Sequence, residues 1–223
     1  MTLRIAVPDG ALRAPSLQML AAIGVGGGPS PAGADGGGPG AAADAKPGLD
    51  ARIVKIAADD VPEYLTSGAA DAGLLAKDVL LERATGLCEL LDLRFGNALL
   101  VHAAAPGAAA RAGRLGRLRI ATRHPNLTRS YFAARGVEVA VVDVVGALER
   151  AAADGLADGV VALVEAVPGS AAPAGLAGLT VEGIVAESSV RLVAGRGARV
   201  LRAAELGMLV ARLRELTART AAT

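Results

Sequence analysis

"GAADAGLLAKDV", residues 68–79, and "GLADGVVALVEA", residues 155–166, decide the fold. Both run G-x-A-D into a short apolar stretch, and both follow a helical pattern, "DDVPEYLTSG" (59–68) in one case and "GALERAAADG" (146–155) in the other. In each a glycine ends the helix, and an acidic residue, Asp71 or Asp158, stands at the entry to a buried strand. The echo predicts two similar α/β lobes facing each other across a cleft, where a ligand would bind.

The rest of the chain fits that frame. Short apolar runs at 3–8, 51–57, 72–76, 97–105, 118–123, 137–144, 159–165 and 190–195 predict strands. Between and after them, 13–24, 59–68, 127–136, 146–155 and 203–219 predict helices, the last with Leu206, Leu209, Val210, Leu213 and Leu216 on one stripe. Alternation of this kind signals an α/β fold with mostly parallel strands. Residues 24–48 are different: ten of the 25 are Gly and four are Pro, a low-complexity loop. Its glycines follow a helix end rather than a strand, so they form no dinucleotide-binding fingerprint.

Composition narrows the function classes. The 223 residues carry 23 basic and 22 acidic side chains, a net charge of +1 that argues against nucleic acid or an anionic membrane as partner. Two Tyr, two Phe and no Trp leave little with which to stack bases. The single Cys88 excludes an internal disulfide and any multi-cysteine metal site. With neither His102 nor His124 in a ligand cluster, no metal-binding residues are expected, and both histidines read as structural. The N-terminus, "MTLRIAVPDG", lacks the apolar segment of a signal peptide, and a cytoplasmic location is expected.

"LRIAVPDGAL", "DVPEYLTSGAADAGLLAKDVLLE" (60–82), "ELLDLRFGNALLV" (89–101), "IATRHPNLTRSYFAARGVEV" (120–139), "GALERAAADGLADGVVALVEA" (146–166) and "ESSVRLVA" (187–194) occur in that order. Together they resemble the ATP phosphoribosyltransferase family, the first enzymes of histidine biosynthesis. The resemblance implies an α/β fold of two periplasmic-binding-protein-like (type II) lobes, lobe I at 1–94 plus 178–223 and lobe II at 95–177. It also implies the short form without a C-terminal regulatory domain, working in an oligomer with a regulatory subunit similar to histidyl-tRNA synthetase. The implied reaction transfers a phosphoribosyl group from PRPP to N1 of ATP and releases pyrophosphate, with Mg2+ accompanying the substrates.

The resemblance also assigns residues. Glu149 and Glu165 would be catalytic. The segment Ala166, Val167, Pro168, Gly169, Ser170 and Ala171 would be the PRPP phosphate loop, and Asp9, Gly10, Asp71 and Asp92 would line the cleft. Glu149 reads equally as a first-turn glutamate favoured by the helix dipole, and Asp71 as a turn-anchoring aspartate. Where the family has "PKGRL" this chain has "PDGAL", and its phosphate loop reads "ALVEAVPGSA" against the family's D-L-V-E-T-G-x-T-L. A second reading follows from those differences: a binding module that keeps the fold and a nucleotide or other small ligand without turnover.

Overall fold

The computed structural model describes residues 2–25, 49–83, 86–104, 106–108, 117–144, 146–165, 176 and 178–220. The chain divides into two units, one of Met1–Leu75, Thr85–Arg94 and Val190–Thr223, the other of Ala76–Ala84 and Phe95–Ser189.

The first unit holds β1 (Leu3–Pro8), β2 (Ala51–Ile56), β3 (Ala72–Ala76), β4 (Cys88–Asp92) and β10 (Val190–Ala194), in the order β2-β1-β3-β10-β4. Strand β1 runs parallel to both β2 and β3, while β10 and β4 are antiparallel. Leu3, Ile5, Ala6 and Val7 are fully buried, as a strand covered on both faces requires. Around the sheet lie α1 (Arg13–Ala22), α2 (Val61–Thr66), α6 (Arg196–Leu201) and α7 (Ala203–Thr220). Helix α7 buries Leu206, Leu209 and Leu213, the centre of the expected stripe.

The second unit repeats the design. Its strands are β5 (Ala98–Ala104), β6 (Leu118–Thr122), β7 (Val139–Asp143), β8 (Gly159–Glu165) and β9 (Thr180–Ser188), in the order β7-β6-β8-β5-β9. Strand β6 is parallel to β7 and β8, and β5 is antiparallel to β8 and β9. Helix α4 (Pro125–Ala133) packs on one face through Phe132, against Leu100, Ile120 and Val161. Helix α5 (Leu148–Ala153) covers the other, where Leu148, Ala151 and Ala152 meet Val101, Ala121, Val160 and Ala162. Helix α3 (Lys77–Arg83) also belongs to this unit, although it lies in the chain between β3 and β4.

The paired glycines do what the sequence asks of them. Gly68 and Gly155 have φ of +76° and +74°, a left-handed conformation that closes a helix without a Cβ penalty. The paired aspartates then lock the strand entries. Asp71 accepts from the Arg4 backbone N–H at 2.8 Å, from Nε at 3.1 Å and from Nη2 at 2.9 Å. Asp158 accepts from the same three groups of Arg119 at 3.0, 3.1 and 2.9 Å. In return the Asp71 and Asp158 N–H groups donate to the Arg4 and Arg119 carbonyls. The repeat therefore extends to "LRIA", present at 3–6 and again at 118–121.

Four elements escape the periodicity argument: α3, β4, β9 and α6. Strand β9, "TVEGIVAES", carries Glu182 and Glu187 in a largely exposed edge, so its extended form depends on pairing with β5 rather than on apolar alternation. That pairing also moves the division of the chain. Residues 180–188 lie in the second unit, whereas a boundary at 177 would assign them to the first.

Candidate functional site

In each sheet the connections out of two neighbouring parallel strands lead in opposite directions. From β1 the chain goes to β2 on one side, and from β3 towards β4 on the other. From β6 it goes to β7, and from β8 to β9. The crevice outside the carboxyl ends of such a strand pair is where open α/β sheets bind ligands. Helices α4 and α5 on opposite faces of the second sheet are the physical expression of that reversal.

Of the six expected site residues that are described, Asp9, Gly10 and Glu165 stand at these carboxyl ends, and Glu149 follows the neighbouring β7. Asp9 and Gly10 directly follow β1, both exposed, with Gly10 at φ +88°. The Asp9 N–H donates to the Ile56 carbonyl at the end of β2, and its carboxylate lies 3.5 Å from the Arg13 guanidinium. Glu149 is half-buried in the first turn of α5, after the carboxyl end of β7. Glu165 closes β8 and is exposed. Strand β8 pairs with β6 only as far as Val161, so 162–165 run past the end of β6 alongside β5. The loop Ala166, Val167, Pro168, Gly169, Ser170 and Ala171, and nearly all of 24–48, lie outside the described residues.

Glu149 and Glu165 share the edge but not the face. Glu165 is in register with Ala98, two residues from Leu100, so its side chain is on the α4 face; Glu149 rides on α5 against the other. Ala162 and Val164 also face α5 and are buried there.

Asp71 stands at the opposite end of its sheet, at the amino end of β3. Burial pushes its carboxyl up, but the Arg4 hydrogen bonds outweigh this and hold it below the usual carboxylate range. Both of its oxygens are engaged, so the turn-anchoring alternative is the one this geometry supports. Asp92 ends β4. Its Oδ1 accepts from the Arg94 N–H at 2.9 Å and its Oδ2 lies 3.2 Å from Arg191, which also holds Glu89 at 2.9 Å. The Asp92 contact secures Arg94 at φ +58°, a conformation few side-chain-bearing residues adopt.

A network around the turn from β6 into α4 supplies residues the sequence reasoning did not select. The Thr122 hydroxyl donates to the Val161 carbonyl at 2.9 Å and accepts from the His124 N–H at 2.9 Å. Glu82, on α3, caps α4: its two oxygens accept the Asn126 and Leu127 N–H groups at 2.8 and 2.9 Å. One turn earlier, buried Asp78 lies 3.0 Å from His124 Nε2 and accepts from the Ser188 hydroxyl at 2.5 Å. Burial raises the Asp78 carboxyl, and the hydrogen bonds from His124 and Ser188 more than reverse it, leaving it low. Arg123 reaches the Gly146 carbonyl at 3.2 Å, joining this turn to the one before α5. The signal for α3 was present in "AKDVLLER": two acids four apart, hence on one helix face. His102, the other histidine, is buried in β5 against Phe132 and Tyr131, its Nε2 without a partner among the described residues.

Among the described residues no group of three or more His, Cys, Asp or Glu is placed to hold a metal ion, and no helix is long and apolar enough to cross a membrane.

Comparison with known proteins gives this arrangement a family. The solved ATP phosphoribosyl transferase (HisG:HisZ) complex from Thermotoga maritima covers 98% of this chain and 100% of its own, with a TM-score of 0.73 at 24% identity. The VFT2 domain of Bordetella pertussis BvgS covers 96% and 87% with a TM-score of 0.54 at 18% identity. These likenesses show the fold, the α/β two-lobe architecture the resemblance implies. The sequence relatives go further. The ATP phosphoribosyltransferase of Symbiobacterium thermophilum is 39% identical over 178 residues, 78% of each chain. That of Deinococcus radiodurans is 39% identical over 166 residues, 74% of this chain and 72% of its own. The sequence model of the ATP phosphoribosyltransferase family matches residues 57–215, so the chain belongs to that family, the enzymes of the first step of histidine biosynthesis.

Proposed function

We propose that phosphoribosyl transfer takes place at the carboxyl edge of the second sheet, with PRPP on the segment Ala166–Ala171 and Glu165 beside its ribosyl group. The observation that carries this is topological: Glu165 ends β8, one of the two neighbouring strands at which the connections reverse. In the reaction N1 of the adenine attacks C1 of the ribosyl group, the C1–O bond to pyrophosphate breaks, and the electron pair leaves with pyrophosphate. Positive charge develops on the ribosyl ring, and an exposed carboxylate at the strand end is suited to stabilise it. Glu149, on the other face of the same edge, would take a ribosyl hydroxyl or orient the ATP. Asp9, Gly10 and Asp92 lie in the first unit, where they remain candidates for substrate binding. Asp71 is left out because Arg4 occupies it.

Mg2+ would accompany the substrate phosphates, whose oxygens suit a hard divalent cation. A regulatory subunit of the HisZ kind, like that in the Thermotoga complex, and a cytoplasmic oligomer complete the reading.

The test is pyrophosphate release from ATP plus PRPP, with and without such a subunit, beside calorimetry of each substrate. Release coupled to phosphoribosyl-ATP supports the reading. Nucleotide binding without release under both conditions would leave the binding module instead.

A further inference from the structure

Strand β8 is buried on both faces from Gly159 to Ala162 and then opens on one face only. Leu163 is 44% exposed and Glu165 is exposed, while Val164 between them stays buried. This is a central strand, with β6 on one side and β5 on the other. An exposed leucine on a loop or an outer helix is ordinary, but a strand inside a sheet with helices on both faces normally has both faces covered.

The register says where the strand opens. Leu163 is in register with Leu100, and Glu165 with Ala98, so both side chains are on the α4 face. Phe132 of α4 packs with Leu100, Ile120 and Val161, a buried cluster that stops short of Leu163. Strand β6 pairs with β8 only as far as Val161, so Leu163 and Glu165 both lie past its end. Two residues apart, they stand about 7 Å from each other along the strand. The carboxyl edge therefore presents an apolar side chain and a carboxylate side by side, on one face and accessible.

The two substrates differ in what they offer a leucine. PRPP is a ribosyl ring that carries hydroxyls and phosphate groups, with no sizeable apolar surface. ATP has one such surface, the flat face of its purine. The reaction joins purine to ribosyl, so the groups that meet need an apolar neighbour and an anionic neighbour next to each other. We infer that Leu163 is a substrate-binding residue, which packs on the purine face of ATP and holds N1 towards the ribosyl carbon beside Glu165. The inference rests on the proposed site and adds to it the residue that holds the base.

The test uses the full-length protein, with the regulatory subunit where turnover needs it, and calorimetry of ATP, tripolyphosphate and PRPP in turn. Leu163→Asn removes the apolar surface at nearly the same size. It should weaken ATP about ten-fold and change tripolyphosphate and PRPP by less than about two-fold. Leu163→Met keeps an apolar side chain of similar volume and should bind ATP within about three-fold of wild type. Leu156→Asn, at a leucine 52% exposed after Gly155, is the control and should bind all three like wild type. Circular dichroism checks that each variant folds. An unchanged ATP affinity in folded Leu163→Asn would overturn the inference. So would a loss shared by tripolyphosphate or PRPP, a Leu163→Met as weak as Leu163→Asn, or an equal loss in Leu156→Asn. Glu165→Gln turning over at the wild-type rate would remove the site reading, and the inference with it. A slow Glu165→Gln beside a Leu163→Asn that binds ATP like wild type would remove the inference alone.

Discussion

Replacing Asp158 by Asn, and separately Asp71 by Asn, separates the structural from the substrate-binding reading of the repeated aspartates. The change keeps the shape and removes the charge. In Asp158, Oδ2 takes the Arg119 N–H and Nε while Oδ1 takes Nη2, and the side chain is 0% exposed. In the amide, one oxygen can still accept two of these donors, but the NH2 group meets a guanidinium N–H and that bond is lost. A charge-assisted bond contributes about 1.5–3 kcal/mol, and the two survivors weaken when their acceptor becomes neutral. The Arg119 head is 35% exposed and can rehydrate, which keeps the loss below that of a fully buried pair. The expected loss is about 2–4 kcal/mol for Asp158→Asn. For Asp71→Asn it is about 1–3 kcal/mol, because that pair is more open, at 8% and 36% exposure. Urea unfolding followed by circular dichroism reads both, each as a midpoint lower by roughly 1 M. Substrate affinities should stay within two-fold. A loss under about 0.5 kcal/mol would refute the reasoning, and so would Asp71→Asn losing substrate affinity at unchanged stability.

Three further outcomes can be checked on the same protein. Burial, reinforced by Arg135 and opposed by Glu182, lowers the His102 pKa, so the folded state binds its proton less readily than the unfolded chain. That contribution to stability is complete above about pH 6.5 and is lost as the pH falls below it, and His102→Leu should flatten this part of a stability-versus-pH curve. Asp71 and Asp78 have the opposite origin and lie lower: their lowered pKa values add stability above about pH 4 that disappears on further acidification, a loss Asp71→Asn should reduce by the Asp71 share while the Asp78 share remains. Glu82→Ala uncaps α4 and should cost about 1–2 kcal/mol in urea unfolding, with Glu82→Gln in between.

The fold was legible because its decisive features are local. A glycine that must turn left-handed, an acid one turn later and an apolar run are consecutive in the chain, and they occur twice. Elements that depend on distant partners were not legible. Strand β9 is extended because β5 lies beside it, and β4 because β10 does. Helix α3 lies in the chain between two strands of one sheet yet grips the other unit, a relation no window of sequence contains. The candidate site divides the same way. Glu149, Glu165, Asp9 and Gly10 became candidates through a family resemblance; Glu165 is the last residue of β8, and the other three follow the carboxyl end of a strand. The Arg4 partner of Asp71 was not legible because it is 67 residues away. Asp78, Glu82 and Ser188 were overlooked for the same reason: Ser188 lies 110 residues from the Asp78 it binds.

The central claim is that Glu165 stands at the reacting edge. Its most direct test is turnover of ATP plus PRPP by wild type and Glu165→Gln side by side, with folding checked by circular dichroism. Glu165 is exposed, so the variant should fold normally. Wild type should release pyrophosphate in step with phosphoribosyl-ATP, and Glu165→Gln should be slower by roughly 10²–10³-fold. A folded Glu165→Gln that turns over at the wild-type rate would contradict it.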